Sequence, residues 1–187
     1  MPIHFSSEQL DRAAIALKAF PGGVEAAAAP AMNRAVLAAK TLGIRKLAAT
    51  YTAKRRTVSD TVRISRATRA NLSAGFSSAG NRLPLMAFKV RPAGRSSSNR
   101  TLSVMVRRDS GGNSISRGFV NAVKGGRLAV LQREGVKRYP IRGLFGPAAP
   151  QMFGEEGVRE EIESRGTEVL GRRFEHEVGR ILERMLS

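Results

Sequence analysis

The chain has no cysteine and no tryptophan, and only two tyrosines and two histidines among 187 residues. Each scarcity removes a class of function. Without cysteine there is no disulfide framework, no thiolate nucleophile and no cysteine-held zinc or iron–sulfur centre. With so few aromatics, a stacking platform for single-stranded nucleic acid would have to be built from phenylalanine and arginine. Long apolar runs are missing too: the greasiest stretch, around Glu25 to Ala31, is a short alanine run broken by Pro30, far below the length of a membrane span. No basic region followed by an apolar run opens the chain, so neither export nor membrane insertion is expected. The protein is expected to be made and kept in the cytoplasm of the producing cell unless lysis releases it. The length fits one domain with terminal arms and is enough to bury a core.

Acids are nearly absent from the middle. Residues 30–142 hold 24 Lys/Arg against three acids, Asp60, Asp109 and Glu134, whereas residues 1–29 net −1 and residues 143–187 net −3, giving +17 in all. Such a middle calls for a negative partner, either nucleic acid or an acidic protein surface. Arginine dominates over lysine, and guanidinium favours fixed, often bidentate contacts with phosphate or carboxylate. Solvation alone is the bland alternative.

Periodicity divides the chain into a helical arm (1–22), a basic core (23–154) and a C-terminal amphipathic helix (155–187). Ser6 to Phe20 places Leu10, Ala13, Ala14 and Leu17 on one helical face and stops at Pro21-Gly22-Gly23. A longer helix is expected from Glu25 to about Thr50, with Met32, Val36, Ala39, Gly43 and Leu47 as its apolar stripe and Pro30 in its first turn. Lys54-Arg55-Arg56 follows, then a short helix over Thr57 to Ile64 capped by Thr57. Basic residues recur at Arg63, Arg66 and Arg69. These six form a candidate basic patch for DNA or acidic protein, with a solvated face as the alternative. Alternation then predicts strands over Ala70–Ser78, Leu83–Val90, Thr101–Arg108 and Arg127–Gln132, the last led in by Phe119-Val120 and a Gly125-Gly126 turn. Pro92–Arg100 and Asp109–Ser114 read as loops. The last helix carries Val158, Ile162, Val169, Leu170, Phe174, Val178, Ile181, Leu182 and Met185 at helical spacing. The expected class is α+β: an antiparallel sheet of about four strands covered by helices.

Catalytic candidates are few. In Glu175-His176-Glu177 consecutive helical residues point about 100° apart and do not converge on one metal. Glu155-Glu156 and Glu160-Glu161 complement a helix N-terminus rather than forming an acid–base pair. The paired glycines match neither a Walker nor a dinucleotide spacing. No enzyme activity, cofactor or metal site is expected.

The unusual stretch runs from Arg138 through Tyr139, Pro140, Ile141, Arg142, Gly143, Leu144, Phe145, Gly146, Pro147 and Pro150 to Met152. Prolines fix its torsions, glycines permit others, and its large apolar side chains need cover. It is either folded back on its own core or an inter-subunit contact.

That stretch resembles the signature of the phage minor tail protein Z family: Arg138, Pro140-Ile141, Gly146-Pro147 and Pro150-Gln151-Met152 stand in the family's order. Ala31-Met32-Asn33-Arg34-Ala35, Leu83-Pro84-Leu85 with Phe88, the Phe119 strand and Gly126 to Arg133 are similar and collinear, so that the likeness covers roughly residues 24–185. Phe145 stands where a tyrosine is usual. The resemblance implies a structural tail-completion protein in the virion, at the head-proximal end of the tail. It further implies the tail terminator and other neck proteins as partners, a homo-oligomer of six copies per tail, a share in DNA passage, and no cofactor. The alternative is a basic duplex-binding protein not built into a tail.

Overall fold

A computed structural model describes residues 15–17, 20–96 and 101–186. The chain divides into two compact units: Met1–Gly43, Val62–Ser78 and Glu155–Ser187 make the first, and Ile44–Thr61 with Ala79–Gly154 make the second. Helices and antiparallel strands coexist, so the class is α+β. The proposed Ser6–Phe20 helix lies outside the described residues for most of its length.

Helix α1, Gly23–Thr50, realises the expected stripe, with Met32, Val36, Ala39, Gly43 and Leu47 all buried. It starts earlier than expected, and Pro30 lies inside it rather than in its first turn. The Ala26 amide closes the first turn on the Gly22 carbonyl (3.0 Å), and Ala27, Ala28 and Ala29 are buried. Their burial stabilises the turn that proline, lacking an N–H, weakens.

In the first unit, β1 (Val62–Ser65) and β2 (Gly75–Ser78) form an antiparallel pair, with Val62 opposite Ser78 and Ile64 opposite Phe76. The second strand is shorter than the alternation over Ala70–Ser78 predicted. Thr68 and Asn71 exchange backbone hydrogen bonds, and the Asn71 amide also reaches Thr68 Oγ1 (3.1 Å), so their backbone groups are committed to a local turn rather than a ladder. Just before it, Asn33 of α1 clamps Ala67: its Nδ2 donates to the Ala67 carbonyl (3.0 Å) and its Oδ1 accepts from the Ala67 amide (2.9 Å). Helix α4, Glu156–Leu186, buries Ile162, Gly166, Val169, Leu170 and Phe174. Arg159–Glu163, Arg165–Glu168 and Glu177–Arg180 pair along its exposed side. The Arg165 hydrogen bond to Glu168 holds that carboxyl below its ordinary pKa.

The second unit begins with the end of α1 and the short helix α2, Arg55–Ser59. The expected helix over Thr57–Ile64 therefore resolves differently: Lys54, not Thr57, sits at the N-cap, and the chain leaves the helix at Asp60 before β1. Eight strands follow: β3 (Arg82–Pro84), β4 (Lys89–Arg91), β5 (Leu102–Met105), β6 (Asn113–Ile115), β7 (Gly118–Ala122), β8 (Leu128–Arg133), β9 (Ile141–Gly143) and β10 (Phe145–Ala148). Helix α3, Ala149–Phe153, closes the unit. The pairings are β4-β5-β6, β7-β8-β9 and β10-β3, all antiparallel. In place of one sheet of about four strands there are ten short strands in four small sheets among the described residues. Proline and glycine cut the extended runs: after Pro84, Leu85–Ala87 turns as a 3-10 helix and divides the expected Leu83–Val90 strand in two. Leu102, Val104, Phe119, Val120 and Val130 face inward, with Leu83, Leu85, Phe88 and Val90 also buried.

Candidate interaction surfaces

After an irregular lead-in over Arg138–Pro140, the stretch to Met152 is a strand, a bulged strand and a helix. Ile141–Gly143 extends the β7-β8 pair, with Arg142 opposite Gln132 and Ile141 opposite Arg133. Leu144 links the sheets, its amide donating to Val130 (2.9 Å) and its carbonyl accepting from Leu85 (3.3 Å). β10 pairs with β3 through Phe145–Pro84 and Ala148–Arg82, with an irregularity between them at Gly146-Pro147. A proline cannot donate to a ladder and belongs at such a break. Gly146 lies against the buried Phe88 ring, where an added Cβ would stand 2.5 Å from Cε2. Arg82 Nε donates to the Gly146 carbonyl (3.3 Å). Pro150 occupies the first turn of α3, and Gln151 Oε1 accepts from the Ala148 amide (3.0 Å). Ala149 and Met152 are 0% exposed.

The stretch thus has two sides. Gly146 to Met152 folds back on its own unit. Tyr139 (66% exposed) and Phe145 (51%) face outward, along with Arg138, Pro140 and Arg142. The Arg138 guanidinium lies 5.7 Å from the Tyr139 ring centre. Val136, 90% exposed, stands in the preceding turn.

All six residues of the expected basic patch are exposed, but they come from different elements. Lys54, Arg55 and Arg56 open α2 in the second unit, whereas Arg63, Arg66 and Arg69 lie on β1 and the turn after it in the first. Charge divides unevenly between the units. The second holds 19 Lys/Arg against three Asp/Glu, a difference of +16, and the first holds 13 against 12, a difference of +1. One of the three acids of the second unit, Asp109, pairs with Arg107 (3.2 Å), and that hydrogen bond lowers its pKa.

Sequence reasoning missed one cluster. Arg117, Gln132 and Arg133 line a shallow cavity of about 610 Å³ with Arg142, Ser116 and Glu134. Strands β8 and β9 and the turn before β7 bring them together, so spacing along the chain carries no sign of it. Among the described residues no group of three or more His, Asp or Glu is placed to hold a metal ion, and no helix is long and apolar enough to cross a membrane.

A profile of the family described as Prophage minor tail protein Z (GPZ) matches residues 10–187. No curated protein and no solved structure gives a significant match.

Proposed function

This chain belongs to the prophage minor tail protein Z family, and from that premise we propose that it completes the head-proximal end of a phage tail, so that the tail joins a head and passes DNA. Membership makes it a structural tail component; the position and the joining role are the proposed step. The observation that carries it is the outer side of the 138–152 stretch. Tyr139 and Phe145 are large and exposed, Phe145 on a strand paired with β3 and Tyr139 just before the paired strand β9, and Arg138 and Arg142 stand beside them in the chain. Aromatic and arginine side chains held on a rigid support are what protein interfaces use as anchors. The tail terminator and neighbouring neck proteins are the proposed partners, with the chain present in six copies per tail.

The test is an in-frame deletion in the phage that encodes the chain, complemented with the wild type or with a Tyr139→Ser/Phe145→Ser double variant. Electron microscopy should show full-length tails that fail to join heads productively in the deletion. The double variant should fold but fail to restore titre. Normal head-to-tail particles in the deletion, or a gold-labelled chain away from the head-proximal end, would overturn the proposal. A second reading rests on the +16 of the second unit: a free duplex-binding protein, which would be missing from purified virions.

A further inference from the structure

The second unit carries a groove lined by three arginines against one carboxylate, Glu134, a net positive arrangement suited to an oxyanion. One rung crosses the β7-β8-β9 sheet: Gly118, Gln132 and Arg142 stand opposite one another in register. Gln132 occupies the centre. Its Oε1 accepts from Arg142 Nη2 (2.8 Å) and Nε (3.2 Å), and its Nε2 donates to the Ser116 carbonyl (3.1 Å). The amide thereby aims the guanidinium without neutralising it. A carboxylate at the same place would cancel the charge, whereas a neutral acceptor leaves it available to a ligand. Arg133 is also held by neutral groups: Nη1 donates to the Arg138 carbonyl (2.6 Å) and the guanidinium lies 5.0 Å from the Phe119 ring centre. Arg117 completes the groove from the turn before β7. No ion pair among the described residues involves Arg117, Arg133 or Arg142.

Arg117 supplies a second, independent sign. It is the one non-glycine residue with a positive φ (57°) among the described residues. An L side chain there is strained relative to glycine, and such strain collects where a side chain is needed for a ligand. The backbone would favour glycine, yet a long cationic side chain is present at the rim of a cationic groove.

We infer that Arg117, Arg133 and Arg142, with Gln132 as the positioning residue, bind the phosphodiester backbone of duplex DNA. Phosphate is favoured over an acidic protein patch by the extent of the charge. The excess of +16 is distributed over the strands and turns of the whole unit. A polyanion with charge along its length matches such a surface, whereas a protein partner would be matched by one local patch. The inference deepens the tail-joint reading, because a component there meets DNA in passage, but its test does not depend on that reading.

Purified full-length protein is titrated with a short random-sequence duplex, by fluorescence anisotropy, from about 50 to about 200 mM salt. Arg142→Gln and Arg117→Gly should each weaken binding several-fold and reduce the log–log salt slope by about one, the change expected for one lost phosphate contact. Gln132→Glu keeps an acceptor for Arg142 but cancels its charge, and should lose as much. Thermal unfolding separates binding from folding: Arg117→Gly relaxes the backbone, so its midpoint should be unchanged or higher while its affinity falls. Wild-type affinity and slope in all three variants would overturn the inference. So would variants that keep DNA binding but no longer bind poly-glutamate, which would assign the groove to a protein partner. Because only purified protein is used, this result is independent of whether the chain sits at the head end of a tail.

Discussion

Gly146 shows how a single residue fixes a segment. From sequence the family-like Gly-Pro pair shows only a glycine that frees torsions and a proline that fixes them; the structure gives the glycine a packing reason, because the buried Phe88 ring occupies the space a side chain would need. Gly146→Ala should destabilise by about 1–3 kcal/mol, the usual cost of overpacking a filled core. A lower urea midpoint with an unchanged slope would bear this out, and a wild-type midpoint would show that Phe88 moves aside easily. Arg117 is a different case: its positive φ has no signature in the residue itself, since arginine has no preference for that conformation, and only the backbone reveals it. Tyr139 and Phe145 were legible as needing cover, but which side of the stretch stays exposed was not, because that depends on the pairing of β10 with β3, a strand far away in sequence.

Among the elements, the helices were the more legible. A 3.6-residue period over many turns specifies a face, and every residue of the expected α1 stripe is buried. Ile162, Val169, Leu170 and Phe174 of α4 follow the same rule, but Val158, Val178, Ile181 and Leu182 are only half-buried and Met185 is exposed. Three of the four strands were read too long, because three or four alternating residues look alike whether a turn or a ladder uses their backbone groups, while the fourth, Arg127–Gln132, matches β8 to within one residue. Asn33 connects the two kinds of element: it offers Ala67 the donor and acceptor that a neighbouring strand would offer. Asn33→Ala leaves both Ala67 groups without that partner and should cost about 2 kcal/mol, within the range for part-buried polar groups left unpaired. Asn33→Asp should also destabilise, since a carboxylate cannot donate to the Ala67 carbonyl. Chemical denaturation of the two variants checks this, and near-wild-type stability of Asn33→Ala would show that water replaces the amide at no cost.

At the scale of the molecule, the charge is the dominant physical fact. A unit of +16 repels itself at neutral pH, so screening or a bound polyanion should stabilise the fold. The thermal midpoint should rise as sodium chloride is raised from about 10 mM, where screening is long-ranged, to about 150 mM. It should rise further with duplex DNA at low salt. A midpoint that is flat in salt would show that the arginines are spaced widely enough for water alone to screen them. The sequence by itself determined the family likeness, the α+β class, the buried stripe of α1 and the basic middle of the chain, since composition and short-range periodicity are properties of neighbours along the chain. Only the tertiary structure decided that, among the described residues, ten short strands replace four and that the 138–152 stretch is half core and half surface. It alone placed Arg117, Gln132, Arg133 and Arg142 around one groove, because strand register joins residues that no local spacing relates.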